Sequence, residues 1–350
     1  VRLVNGDAFS TVEETGRGNA GNIRIISEKI EVLGGAQLNS STFGEGNAGR
    51  IDVQGTEVII FSGENANGFP SAAFSAVGET GQGNAGEVNL FANVIEVSNQ
   101  AQLSSSTFGE GNAGNITLEA GETARLVNGN VFSTVVGTGR GNAGSVSILA
   151  DTVEVRDGAQ LNSATGGQGN AGTIIVEASE MVSFSGVNPE GFSSGAFTAV
   201  DFNGQGNAGD ISIISNSLEV RDGAQLNSNT GGQGNAGTVF VDVSDTFLLS
   251  NGFVVSSVGE TGGGNAGNIT VVADRLEVHD GLLISSSFNE GDAGTVTVEV
   301  RDSAIFSGFY TDLSGPEPEV WPSGVYSTIE ETGQGNAGGV NLIAGTVELR

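Results

Sequence analysis

The chain of 350 residues contains no cysteine, one lysine (Lys29), one histidine (His279), one tryptophan (Trp321) and five prolines. Without cysteine it has neither disulfides nor thiolate metal sites, and its redox compartment is left open. Twelve basic against 41 acidic residues give a formal net charge of −29. That balance makes nucleic acid a poor partner, because phosphate binding needs a basic face, and it disfavours anionic membrane surfaces. A lone histidine and no cysteine nucleophile leave no Ser/His/Asp or Cys/His set, and His279 beside Asp280 and Gly281 reads as a turn residue. No apolar run approaches the roughly 18 residues of a membrane helix, and no segment keeps a helical period over a useful length. So few prolines do not suit a disordered Pro/Gly chain, although glycine reaches 58 residues. The chain opens in mid-repeat at Val1-Arg2-Leu3, without a signal-peptide pattern, and stops in mid-repeat at Val347–Arg350. It is expected to be a segment of a longer array that associates end to end.

What the chain does have is a recurring tetrapeptide, Gly18-Asn19-Ala20-Gly21. It returns at Gly46, Gly83, Gly111, Gly141, Gly169, Gly206, Gly234, Gly264 and Gly335, and once as Gly291-Asp292-Ala293-Gly294. A period in the range of about 20–50 residues marks a solenoid. Successive spacings alternate short and long, and four of them span 123 residues, as from Gly18 to Gly141 and from Gly141 to Gly264. Three short extended segments follow in each unit. One is Asn22-Ile23-Arg24-Ile25, alternating with period two. The second is Ile30-Glu31-Val32, and the third is Leu38–Thr42 in short units or Phe9–Val12 in long ones. The expected fold is therefore all-β: a parallel β-helix of about eleven three-stranded coils, forming one continuous body over residues 1–350. At about 4.8 Å per coil the rod is roughly 50 Å long.

The tetrapeptide reads as a sharp corner. Its asparagines, Asn19, Asn47, Asn84, Asn112, Asn142, Asn170, Asn207, Asn235, Asn265 and Asn336, are expected to stack as a structural ladder, since an amide both donates and accepts. Asp292 interrupts that column and is the one weak metal candidate; otherwise no metal or cofactor is expected.

Other columns read as structure. Glu31, Glu96, Glu154, Glu219, Glu277 and Glu348 recur in alternate units, about 9–10 Å apart, too far for two to share a calcium ion. The Gly-Gly-Gln-Gly-Asn-Ala-Gly stretches lack the aspartate of a calcium-binding nonapeptide, which falls on Ala171 and Ala236. Serine and threonine crowd the third segment, but mixed with Ala, Val and Ile, so they read as small residues packing in or beside the core and not as an ice-binding array. Carboxylates recur as columns and do not stand out as a catalytic pair, so no enzyme activity is expected.

Three stretches break the pattern: 64–71, 187–194 and 309–323, each after a Ser-Gly and spaced four units apart. They hold Phe69, Phe192, Tyr310 and Trp321, with all five prolines. Insertions on one face of an array are often its binding face, so these four aromatics are candidate lateral contacts, with a neighbouring rod or with a sugar polymer.

The run Val155-Arg156-Asp157-Gly158-Ala159-Gln160-Leu161, followed by Gly166-Gly167-Gln168-Gly169-Asn170-Ala171-Gly172, resembles the repeat region of filamentous-haemagglutinin-like exoproteins, in the form common in cyanobacteria. The resemblance extends over essentially the whole chain. It implies a right-handed parallel β-helix, secreted to the cell surface through an outer-membrane partner and used in adhesion or matrix building. The competing expectation is a β-helix that binds or cleaves polysaccharide.

Overall fold

The computed structural model describes residues 1–312 and 319–350, and among these the regular structure is entirely β. Pro316 and Pro318 of the third insertion lie outside the described residues. Each repeat supplies one long and one short strand. Long strands such as Ile23–Leu33, Ile51–Ser62 and Val88–Ser98 pair in parallel with their counterparts one repeat away, so that Ile23 lies opposite Ile51 and Ile51 opposite Val88. Short strands, beginning with Ala8–Phe9, Gln37–Asn39 and Ala72–Phe74 and ending with Gly324–Ile329, form a second sheet of eleven strands in strict chain order. Parallel pairing of every repeat with the next, in two sheets at once, is a β-solenoid architecture.

The first two segments expected as separate strands run on as one. Polar residues join them, Glu28-Lys29 in one coil and Thr56-Glu57 in the next, and stay extended. Long strands alternate between 11 and 12 residues. The mismatch is absorbed by a register shift at one place: Ser27 faces Gly55 but Lys29 faces Val58. A bulge of this kind bends the strand and re-aims its side chains, so the corner expected between two strands is a bulge within one. Two long strands are also interrupted, giving Ile211–Ser215 with Ser217–Arg221 and Val239–Val243 with Thr246–Ser250. Both halves rejoin the intact strands on either side, Ile174–Ser185 and Ile269–His279. The six-membered ring of pairings this creates is an eyelet in one open sheet. Every strand around it keeps the column register of its neighbours, so it encloses no barrel interior.

The core is a stack of inward columns. Ile51, Val53, Ile59 and Phe61 are fully buried, and Val88, Leu90, Ile95 and Val97 continue them in the next coil. Burying each such side chain stabilises by about 1.5–3 kcal/mol, and only the adjacent coils can supply that burial. The three coils with insertions each carry an inward phenylalanine, Phe61, Phe184 or Phe306, as the last residue but one of their long strand.

One inward column alternates Val12, Thr42, Val77, Thr107, Val135, Thr165 and Val200, joined by a parallel bridge at each step. The hydroxyls of Thr107 and Thr165 are buried without a hydrogen-bond partner. A buried hydroxyl left unpaired costs about 1–3 kcal/mol, and valine has nearly the same shape. Thr107→Val and Thr165→Val should therefore each raise stability by about 1 kcal/mol in thermal or denaturant unfolding. A lowered midpoint would show that the hydroxyls are satisfied.

Candidate functional site: the corner columns and the hairpin edge

The asparagines of the tetrapeptide do form one column, with a polarity the sequence does not reveal. Each side-chain Oδ1 accepts from the backbone N–H of the Asn one coil on, at 2.8–2.9 Å, from Asn19 through Asn47, Asn84, Asn112, Asn142, Asn170, Asn207, Asn235 and Asn265. The next residue pairs the other way, Ala143 N–H donating to the Asn170 carbonyl at 2.9 Å. Amide-to-amide bonding is not what carries the column; an acceptor is enough. Asp292 therefore continues it. Its N–H donates to Asn265, and its Oδ1 accepts from the Asn336 N–H at 2.8 Å and from the Asn336 side-chain amide at 3.0 Å. Nor does Asp292 belong to a metal cluster: among the described residues no group of three acids or histidines is placed to hold an ion.

The whole asparagine column is exposed to solvent. Removing one rung deletes a bond without burying an orphaned group, so Asn142→Ala should lower stability by only about 0.5–1 kcal/mol. Asn142→Asp, which keeps the acceptor, should be close to neutral. Urea midpoints of the two variants check this, and equal losses in both would mean that the amide NH₂ matters after all.

Behind the corner runs a second column that sequence reasoning missed. Ser40, Ser75, Ser105, Ser133, Ser163, Thr198, Ser228, Ser256 and Ser285 occupy one inward position of successive coils and are fully buried. Ser133 Oγ donates to the carbonyl of Gly114 at 2.6 Å and accepts from the N–H of Gly144 at 2.9 Å. Ser228 and Ser256 repeat this between Gly209 and Gly237, and between Gly237 and Gly267. The hydroxyl thus ties the closing glycine of its own tetrapeptide to that of the coil before. The signal was present in the period-two count: Val131, Ser133 and Val135 share one parity, and Phe132 and Thr134 the other.

The glutamate column is a surface of ion pairs. Arg125 lies one coil from Glu154 with Nε to Oε2 at 2.8 Å, and Arg2 and Lys29 flank Glu31 at 3.3 and 2.9 Å. The hydrogen bond from Lys29 holds the Glu31 carboxyl below its ordinary range. His279 closes the strand Ile269–His279 and the turn begins at Asp280, with φ of 52°. Its Nε2 lies 3.4 Å from Glu277 and its Nδ1 2.5 Å from the Ser307 hydroxyl.

All three insertions leave from the same corner, after Gly63, Gly186 and Gly308, each at positive φ. The first two are tight loops closed by one antiparallel bridge, Glu64 to Pro70 and Val187 to Ser193. In each an asparagine side chain caps the turn: Asn65 Oδ1 accepts from Phe69 N–H at 3.1 Å, and Asn188 Oδ1 from Phe192 N–H at 2.8 Å. The two rings are left in solvent, Phe69 57% and Phe192 58% exposed. The third insertion is a two-stranded antiparallel ribbon, Phe309–Asp312 against Glu319–Pro322, with Tyr310 opposite Trp321. It folds back over the short-strand sheet. Tyr310 meets Phe253 edge to face at 4.7 Å between centroids, and Trp321 meets Tyr326 at 5.8 Å. The Tyr326 hydroxyl donates to the carbonyl of Pro322 at 2.6 Å, and burial pushes its phenol above the ordinary range.

That outer face carries an aromatic column. Phe9, Asn39, Phe74, Ser104, Phe132, Asn162, Phe197 and Asn227 stand in register one coil apart. Aromatic rings thus recur every second coil, roughly 9.6 Å apart. Two troughs lie along this face. One of about 430 Å³ includes Phe74, Phe108 and Phe132; the other, of about 900 Å³, lies beneath the third insertion. A scan against protein-family models and searches of curated proteins and of solved structures returned no match.

Proposed function

We propose that the chain is a structural and adhesive element, a right-handed β-solenoid belonging to an extracellular surface fibre or matrix and acting without catalysis. The observation that carries this reading is the continuity of the columns. The Asn/Asp column runs from Asn19 to Asn336 with every rung made, so the molecule is built as a rod that repeats one surface. Parallel strands joined by crossovers are right-handed in nearly all known sheets, which supports the handedness. The resemblance of the repeat to filamentous-haemagglutinin-like exoproteins supports the location at the cell surface. A net charge of −29 suits a surface in contact with water and salt. Contacts between rods run laterally through the hairpin edge, where Phe69 and Phe192 project roughly 19 Å apart, four strand spacings along one edge. End-to-end association extends the same columns onto a further coil.

The double variant Phe69→Ala/Phe192→Ala tests the lateral contact. Bundling, followed by light scattering and negative-stain microscopy, should fall several-fold. The unfolding midpoint should stay within about 0.5 kcal/mol of the parent, as for exposed substitutions generally. Undiminished bundling would place the contact elsewhere. A second reading, a polysaccharide-binding solenoid, is favoured by one observation, the aromatic trough beneath the third insertion.

A further inference from the structure

The larger trough combines three features. Its floor is the outer face of four consecutive short strands, carrying Phe253, Val255, Ile284 and Tyr326 among neutral Gln, Asn and Ser side chains. Its roof at one end is the ribbon, with Tyr310 and Trp321 held edge to face against Phe253 and Tyr326. Its charged residues are acidic, namely Glu260, Glu319, Glu330 and Glu331, with neither lysine nor arginine among the described residues lining it. From the strand carrying Gln225 to the one carrying Tyr326 it crosses three strand spacings, roughly 14 Å, along the rod axis.

Each feature narrows the ligand. Aromatic rings offer flat apolar faces to a ligand with exposed C–H groups, while amides, hydroxyls and carboxylates take up hydroxyl groups by hydrogen bonding. A trough with acids and no bases rejects phosphate, sulfate and uronate groups. A trough that crosses three strand spacings has room for several units of a chain and not only for a single small molecule. We infer that the trough formed by Phe253, Tyr310, Trp321 and Tyr326 is a binding site for a linear, uncharged polysaccharide lying parallel to the rod. The site stands on its own chemistry. Its meaning as adhesion to a glycan rests on the reading of the chain as a surface rod.

The ribbon makes the site. The first two insertions each close within seven residues and leave their rings in solvent, whereas the third is long enough to reach two coils back, from Tyr326 to Phe253. The chain's only tryptophan lies in this trough, so its emission reports occupancy without a label.

The test is a titration of the purified chain with cellohexaose and mannohexaose, with hexagalacturonate as the anionic control, followed by Trp321 fluorescence and by calorimetry. At least one neutral hexaose should shift or quench the emission and saturate, and hexagalacturonate should not. Tyr326→Ala and Phe253→Ala should each weaken binding by about tenfold, as loss of a central aromatic contact does. Phe240→Ala, on the outer face of a long strand, should bind as the parent does. The far-ultraviolet circular dichroism of each variant establishes that it folds. The inference is overturned if neither neutral hexaose binds at millimolar concentration, if hexagalacturonate binds as well as they do, or if folded Tyr326→Ala binds like the parent. Bundling measured without sugar reads the rod proposal separately, so either can fail alone.

Discussion

Gly144→Ala should lower stability by about 3 kcal/mol or more and split the unfolding transition, the largest effect expected of any single methyl group here. The closing glycine of each tetrapeptide sits directly over its counterpart in the preceding coil. A Cβ on Gly144 would be driven into the carbonyl of Gly114, 2.6 Å from its carbon, with the Ser133 hydroxyl 2.7 Å away. The obstruction is backbone, and that backbone is locked from below by the same contact one coil earlier, so it has no soft direction in which to yield. Gly141, which opens the tetrapeptide, is constrained twice over: its φ is 140°, and its Cβ would lie 2.5 Å from the carbonyl carbon of Gly111. Because coils are stabilised only by their neighbours, a break at the fifth tetrapeptide should let the two halves unfold separately. Denaturant unfolding followed by circular dichroism should show a lowered midpoint and a shallower or biphasic transition. Gly259→Ala, where the nearest atom to a Cβ is 3.6 Å away, should stay within about 0.5 kcal/mol of the parent. A Gly144→Ala protein as stable as Gly259→Ala would show that the coils are not stacked at this height.

Ser133→Ala comes next, at about 2–4 kcal/mol. The substitution makes almost no cavity; its cost is polar. Both groups the hydroxyl serves, the Gly114 carbonyl and the Gly144 N–H, belong to buried residues. Orphaning a buried donor or acceptor costs about 1–3 kcal/mol. The protein contains its own control. At this position in the seventh coil stands Thr198, whose Oγ1 donates within its own coil, to the Gly209 carbonyl at 2.6 Å, while the Gly209 N–H turns to the Thr198 carbonyl, so Ser133→Thr should fold but recover only part of the loss. If Ser133→Ala and Asn142→Ala proved equally mild, the inner and outer columns of the corner would have equal weight. The structure, which buries one and exposes the other, says otherwise.

These two residues also mark the limit of what could be read from the sequence. The period of the array, the extended segments, the corner and the place of the three insertions follow from spacing, because spacing is a property of the chain alone. Partners are not. Asn19 and its equivalents were legible as a column, but whether an amide lends its donor or its acceptor depends on which backbone group faces it. That is why Asp292 reads as a fault in sequence and is an ordinary rung in the structure. Ser133 looked like one more small polar residue because its neighbour Thr134 is chemically similar; only the alternation in and out of the core separates them. The long strand read as two because Glu28-Lys29 interrupts the apolar pattern, and a polar pair does not distinguish a turn from a bulge. Tyr310 and Trp321 were legible as aromatics on an insertion. That the ribbon folds back, and builds a trough with the nearby Tyr326 and with Phe253, far from it in sequence, depends on tertiary packing alone.

The acceptor-only corner has a consequence for how such a rod ages. Asparagine is among the chemically least durable side chains, losing its amide to water over time and more quickly with heat. An exposed column of asparagines would ordinarily be a clock running toward failure. Here hydrolysis of a side-chain amide converts Asn to Asp and leaves the oxygen that accepts the next coil's N–H, as the native rung at Asp292 already demonstrates. What is lost is an NH₂ group facing solvent. A solenoid built this way can drift in charge, one rung at a time, without coming apart at the corner that holds its coils in register.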